Sequence, residues 1–274
     1  MTQHQKITLS AGKEAVRPLA QVTQDGQWRL SLAHDVPYPR LFWSTRGQGT
    51  IVLNGARQGL SGHTMVYVPA GKLAAITVAP GAFGSVLALR QDAQGVFPEY
   101  SLSVRIVDMN AQKLVSGLFE NLQRELQSDA AGSDLAANAH AMLIAVWIER
   151  ELARQQNKRM TASERLMQSF SDMLAGHYAA GEGVGWFANE LGVTPTHLAR
   201  TSNAMLGMSS SKFLADRIFY EARRLLRDTS LSASKISQQL GFSTPAYFTR
   251  AFQSHSGETP TSFRQSTPQT ARAA

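Results

Sequence analysis

The 274-residue chain has no cysteine, which excludes disulfides, thiolate nucleophiles and thiolate metal ligands. No apolar run reaches the roughly 18 residues of a membrane-crossing helix, and the opening MTQHQKITLS has no apolar signal core. The expectation is a soluble, cytoplasmic protein with no membrane partner. Histidines stand only at positions 4, 34, 63, 140, 177, 197 and 255, never closer than 20 residues to one another. No HExxH pattern, nucleophile elbow, Walker loop or dinucleotide fingerprint occurs. An enzyme is therefore not expected, nor a metal or cofactor.

With 43% hydrophobic residues the chain can bury one large core or two modest ones. A formal charge of +7 suits a nucleic-acid partner without defining one, because the basic residues are spread over both halves.

The most informative feature is a pattern written twice, about 50 residues apart. The first copy runs Phe187, Ala188, Leu191, Gly192, Thr194, Leu198 and Arg200. The second runs Ile236, Ser237, Leu240, Gly241, Ser243, Phe248 and Arg250. Each is followed by a glycine (Gly207, Gly257) and a phenylalanine six residues on (Phe213, Phe263). An apolar residue four before a Leu-Gly pair marks one helical face ending at a glycine stop. Thr194 and Ser243 then serve as N-caps for a second helix. Helix, glycine turn and capped helix make a helix-turn-helix, whose second helix enters the DNA major groove. Between the copies, residues 210–228 predict a helix with an apolar face and a basic one (Arg217, Arg223, Arg224, Arg227). At 1.5 Å per residue it spans roughly 27 Å, which sets the two recognition helices about one DNA turn apart.

Upstream, residues 28–108 read as short strands: 28–32, 40–45, 50–53, 64–68, 74–78, 85–89 and 103–107. Asn54-Gly55 is the strongest hairpin signal among the turns. From residue 110, Leu114, Leu118, Leu122 and Leu126 recur at every fourth position and predict a helix, followed by another over about 135–152.

Arg165 to Gln265 resemble the AraC/XylS family of bacterial transcription regulators. The most specific part is Ile236 to Phe242, Tyr247-Phe248-Thr249-Arg250-Ala251-Phe252, and the ending Gly257-Glu258-Thr259-Pro260-Thr261-Ser262-Phe263-Arg264. The resemblance implies an activator that binds double-stranded DNA in two successive major grooves and contacts RNA polymerase. By position it carries DNA contacts to Thr194, Thr196, His197, Ala199, Arg200 and Asn203 in the first unit. In the second it carries them to Thr244, Pro245, Ala246, Thr249 and Arg250. Ser209, Ser211, Lys212, Lys235, Thr259 and Thr261 are candidate phosphate contacts. Ser202 departs from the family, which prefers an apolar residue there, as Phe252 is in the second copy.

The glycine and proline turns 47–50, 54–55, 62 and 69–71 look like those of the family's cupin-like sensor domains, without the histidine cluster of metal cupins. A small-molecule effector would then meet Trp43, Arg46, Tyr67, Lys72 and Arg90, the arginines suiting an anion. The stripe Leu114, Leu118, Leu122 and Leu126 would form a homodimer contact. The expected fold is α+β and multidomain. An antiparallel β barrel or sandwich, cupin-like, covers 1–109, and a helical dimerisation segment covers 110–157. A linker covers 158–162, an all-α double helix-turn-helix 163–265, and a disordered tail 266–274. The alternative is a cupin-type small-molecule-binding protein, catalytic or not, with a degenerate DNA-binding domain.

Overall fold

The structure is a computed structural model that describes residues 15–89, 97–154 and 160–266. Arg90, residues 158 and 159 of the expected linker and all but Ser266 of the expected tail lie outside the described residues.

Two antiparallel sheets form the N-terminal half. Strands β1 (Ala15–Pro18), β2 (Arg40–Arg46), β5 (Thr64–Val68), β7 (Phe83–Ala88) and β8 (Leu102–Arg105) make one, in the order β1-β7-β2-β5-β8. Strands β3 (Gln48–Leu53), β4 (Ala56–Ser61) and β6 (Ala74–Val78) make the other, in the order β4-β3-β6. The hairpin between β3 and β4 turns at Asn54-Gly55, both with positive φ (51° and 70°), as a type I′ turn requires.

Alternation along the strands sorts side chains into layers. Phe42, Val66, Val68 and Val86 of the large sheet meet Ile51, Leu53, Leu60 and Ile76 of the small one. This is a sandwich whose interior is filled by apolar side chains. The opposite face of the large sheet, with Leu41, Trp43, Met65, Tyr67 and Leu87, packs under two helices, α3 (Met109–Leu126) and α4 (Ser133–Arg154). The outer face of the small sheet, with Val52 and Ala75, packs on the C-terminal helices. Both sheets are therefore covered twice, which explains why β2 and β5 are buried almost throughout.

Two expectations need correction. Residues 28–32 do not form a strand: after a first turn of helix, α1 (Leu19–Val22), a short helix, α2 (Trp28–Ser31), stands there. Local bonds curl it, since Trp28 Nε1 donates to the Asp25 carbonyl at 2.9 Å and Arg29 pairs with Asp25 at 2.7 Å. The leucine stripe is not a free dimer face. Leu122 is fully buried (0% exposed), Leu118 and Leu126 pack partly on the sheet, and only Leu114 is outward at 55%. Four-residue spacing drifts around a helix of 3.6 residues per turn, so the stripe winds from solvent into the core. The inward row is Val115, Phe119 and Leu122.

The C-terminal helices are α5 (Ala162–His177), α6 (Val184–Glu190), α7 (Pro195–Leu206), α8 (Ser210–Asp228), α9 (Ala233–Gln239), α10 (Pro245–Ser256) and α11 (Pro260–Gln265). Thr161 and Glu164 form a capping box that starts α5. None of the helices among the described residues is long and apolar enough to cross a membrane.

The two halves are bound by ion pairs and rings. Lys72 meets Asp172 at 2.8 Å, Arg29 meets Asp228 at 2.8 Å, and buried Arg217 meets Asp35 at 2.6 Å. Trp28 packs edge-on against Tyr220 and Phe263. His34 stacks on Tyr220 with centroids 4.1 Å apart. Its Nδ1 lies 2.8 Å from the Leu32 carbonyl and so carries the proton, leaving Nε2 to accept from Arg40 at 2.5 Å.

Burial first, and the Arg40 guanidinium second, hold the His34 imidazole well below its usual protonation range. The unfolded chain therefore takes up a proton near pH 6.5 that the folded chain refuses. Stability should be full above that value and fall as pH drops below it. Urea midpoints at neutral pH and at about pH 5 check this, and His34→Phe should remove most of the decline.

Candidate nucleic-acid interface

Helices α6 and α7 form one helix pair, and α9 and α10 a second of the same shape. In each, a glycine with positive φ makes the turn, Gly192 (67°) and Gly241 (74°). Thr194 Oγ1 accepts from the His197 N–H at 3.1 Å and Thr244 Oγ1 from the Tyr247 N–H at 3.1 Å. Proline follows each cap at the first helical position, where its missing N–H costs nothing. The cap of the second recognition helix is thus Thr244, not Ser243. The second turn is one residue longer, so the repeat of 49 up to the glycine becomes 50 from the cap onward. Both recognition helices end on a left-handed glycine, Gly207 and Gly257.

The first pair packs on Phe170, Phe187 and Phe213, and the second on Ile236, Phe248, Phe252 and Phe263. Ser202 is fully buried, yet it does not leave a hole. Its Oγ donates to the Met208 carbonyl at 2.8 Å and so ties down the turn into α8. Phe252 at the matching position supplies ring packing against Phe263 instead. The loop between α5 and α6 also touches the turn of the second pair. A Cβ on Gly241 would lie 2.4 Å from the Gly181 backbone nitrogen, so both positions admit only glycine.

The outward faces carry most of the expected contact residues. Thr194, Thr196, His197, Arg200 and Asn203 are exposed on or before α7, and Thr244, Pro245, Ala246 and Arg250 on or before α10. Arg200 and Arg250 have no ion pair or hydrogen bond among the described residues, so each guanidinium is free for a ligand. Ala199 and Thr249 are half-buried, and the Thr249 hydroxyl donates back to the Pro245 carbonyl at 2.9 Å. Of the candidate phosphate contacts, Ser209 and Thr259 are N-caps whose oxygens accept from Lys212 and Ser262 N–H groups. Lys212 pairs with Asp216 at 3.1 Å. Lys235, Ser211 and Thr261 are exposed.

Sequence reasoning missed Tyr247, which is 52% exposed at the head of α10, and Gln253 on the same face. The signal was present: the offset of 50 superposes them on His197 and Asn203. The expected basic face of α8 is largely buried or paired within the protein. Arg217 is buried 3.6 Å over the Tyr178 ring, Arg223 is buried, Arg224 pairs with Glu221, and Arg227 bonds Ser266.

The expected ligand residues do not converge. Trp43 lies in the core and donates to Ser116 at 3.2 Å. Tyr67 stacks on Phe97, its hydroxyl pushed up to about 12 by burial. Arg46 lies over Phe83 on the surface, and Lys72 is held by Asp172.

The geometry defines a helical domain with two exposed recognition helices on a shared scaffold. Residues 187–266 match the family model described as a helix-turn-helix domain. The chain is 38% identical over 77 residues to the uncharacterized HTH-type transcriptional regulator YfiF of Bacillus subtilis, covering 28% of this chain and 24% of that protein. It is 33% identical over 78 residues to the probable transcription factor PqrA of Proteus vulgaris, covering 28% and 64%. It is 29% identical over 154 residues to the HTH-type transcriptional regulator CdhR of Pseudomonas aeruginosa, covering 52% and 46%. The match thus spans less than two thirds of each of these relatives. Among solved structures, fatty-acid-bound ToxT of Vibrio cholerae aligns over 94% of this chain and 96% of its own, at 10% identity and a TM-score of 0.45. Residues 187–266 of the chain therefore carry a helix-turn-helix domain similar to those of these transcriptional regulators.

Ser202→Ala should cost about 1–2 kcal/mol by leaving the buried Met208 carbonyl short of its donor. Chemical denaturation measures it, and an unchanged midpoint would refute the role given to this hydroxyl.

Proposed function

We propose that the protein is a sequence-specific, double-stranded-DNA-binding transcription regulator that inserts α7 and α10 into successive major grooves. The observation that carries this reading is the pair of free arginines, Arg200 and Arg250, at matching positions on two exposed helices. The 19 residues of α8 between them give about 28 Å, close to one duplex turn once the flanking turns are added. Arginine at such a position reads guanine O6 and N7 with two hydrogen bonds. Thr196, His197, Asn203, Ala246 and Tyr247 border the same faces, and Lys235 and the cap residues lie where phosphates pass. Activation through contact with RNA polymerase, a cytoplasmic location and control by a small-molecule effector belong to the same reading. The N-terminal sandwich, read as cupin-like, and the helical segment up to residue 157 would serve sensing and assembly.

The homodimer contact moves from the leucine stripe of α3 to the outer face of α4. There Leu135 (75% exposed), Met142 (54%), Leu143 (52%) and Val146 (37%) stand unpartnered. Asp134 opens this helix and Arg150 lies near its end. An antiparallel copy with its two-fold at Met142 would set Asp134 of each chain against Arg150 of the other.

Arg200→Ala should lose about 1–3 kcal/mol at one base step of a roughly 20 bp site and nothing at the others. Fluorescence anisotropy with single-step site variants reads this. Uniform weakening would leave only a phosphate contact. Affinity should also fall steeply with salt. Met142→Glu should convert a dimer to a monomer in analytical ultracentrifugation, and a variant that stays dimeric would remove α4 from the interface.

A further inference from the structure

A cleft of about 140 Å³ opens between the outer face of the small sheet and the turn joining α7 to α8. It is outside the sandwich interior, and it holds the volume of roughly four or five waters. Val52, Ala75 and Phe213 make its floor, which is hollow because alanine leaves space that a longer side chain would fill. Thr50 and Thr77 present hydroxyls that have no hydrogen-bond partner among the described residues. The lining carries both signs of charge. Arg57 of β4 has no ion pair or hydrogen bond among the described residues. Asp216 of α8 is 5% exposed. It accepts from Lys212 at 3.1 Å, and its Oδ1 lies 3.0 Å from His255 Nε2.

We propose that this cleft binds a small zwitterion of the amino-acid class. Its carboxylate pairs with Arg57, its ammonium with Asp216, and its short aliphatic part lies on the apolar floor beside the two threonines. The ammonium replaces that of Lys212, whose side chain is 58% exposed and swings into water, so the buried carboxylate keeps a cation throughout. A simple carboxylate would gain only the Arg57 pair, with Asp216 left on Lys212, and a simple amine would leave the Arg57 charge uncompensated beside its own.

Both anchors connect to the DNA-reading helices. The Arg57 guanidinium lies against Gly207, where an added Cβ would be 3.2 Å from Nη1, and Gly207 is the cap that ends α7. Asp216 holds His255 near the end of α10. Occupancy therefore bears on both helices at once, which rests on the effector-controlled reading above and gives the effector a chemical class.

The test compares L-alanine with propionate and ethylamine, its two halves, on the full chain by thermal unfolding and titration calorimetry, with a panel of the common α-amino acids alongside. The expected result is a rise in Tm of about 5 °C at a hundredfold excess over Kd for at least one amino acid. Propionate and ethylamine should give none. Arg57→Ala and Ala75→Leu should abolish the response. The double variant Thr50→Val, Thr77→Val keeps the cavity's shape and should weaken binding about tenfold, so the test survives if Ala75→Leu fails to fold. No response to any amino acid, an equal response to propionate, or a response that persists in Arg57→Ala would overturn the proposal. DNA affinity is measured in parallel without amino acid. Its absence in the unaltered chain would defeat the regulator reading, whatever the calorimetry shows.

Discussion

Helix α8 must bury three of its sides, and the rest of the molecule is arranged to allow it. Its apolar residues Phe213, Phe219, Leu225 and Leu226 reach the cores of both helix pairs. Its Arg217 is as buried as they are, and a buried guanidinium needs a counter-charge, to which a ring face adds a further attraction. The N-terminal half supplies the charge from Asp35, while Tyr178 supplies the ring. The C-terminal helical domain and the domain that precedes it therefore share one electrostatic requirement. Trp28 and His34, both from the N-terminal half, complete the cover over Tyr220.

This arrangement makes the small sheet a structural intermediary. One of its faces closes the sandwich, and the other receives α5 to α8. The hairpin tip is part of the joint: a Cβ on Gly55 would lie 2.2 Å from the Met167 carbonyl of α5. A change in the sandwich reaches the first helix pair through packed side chains and backbone, the kind of contiguous contact that coupling requires.

Much of this was legible in the sequence because two periods are strong there. Strands β3, β5 and β6 announce themselves by β-branched residues between turn signals, and β2 by its apolar and aromatic run Leu41-Phe42-Trp43. The helix pairs announce themselves by a repeated cap, glycine and aromatic. The failures have physical causes. Trp28 to Leu32 alternates like a strand, but bonds to Asp25 decide otherwise. The four-residue leucine spacing is near enough to a helical face to suggest an interface and far enough to wind into the core. Arg217 looks like surface charge because nothing in the sequence shows that Asp35 will lie beside it. Ser202 looks like a missing core residue because its acceptor, the Met208 carbonyl, is a backbone group that any sequence would have.

The contact between Gly181 and Gly241 has one more consequence. The loop before the first helix pair and the turn of the second meet backbone to backbone, with no side chain between them to flex. Together with the rigid span of α8, this closes a loop of fixed distances around both recognition helices. On the proposed function, the domain would then be a gauge as well as a reader. It would respond to how far apart, and at what angle around the duplex, two short base sequences are set. A target with the right bases at the wrong separation would engage only one helix.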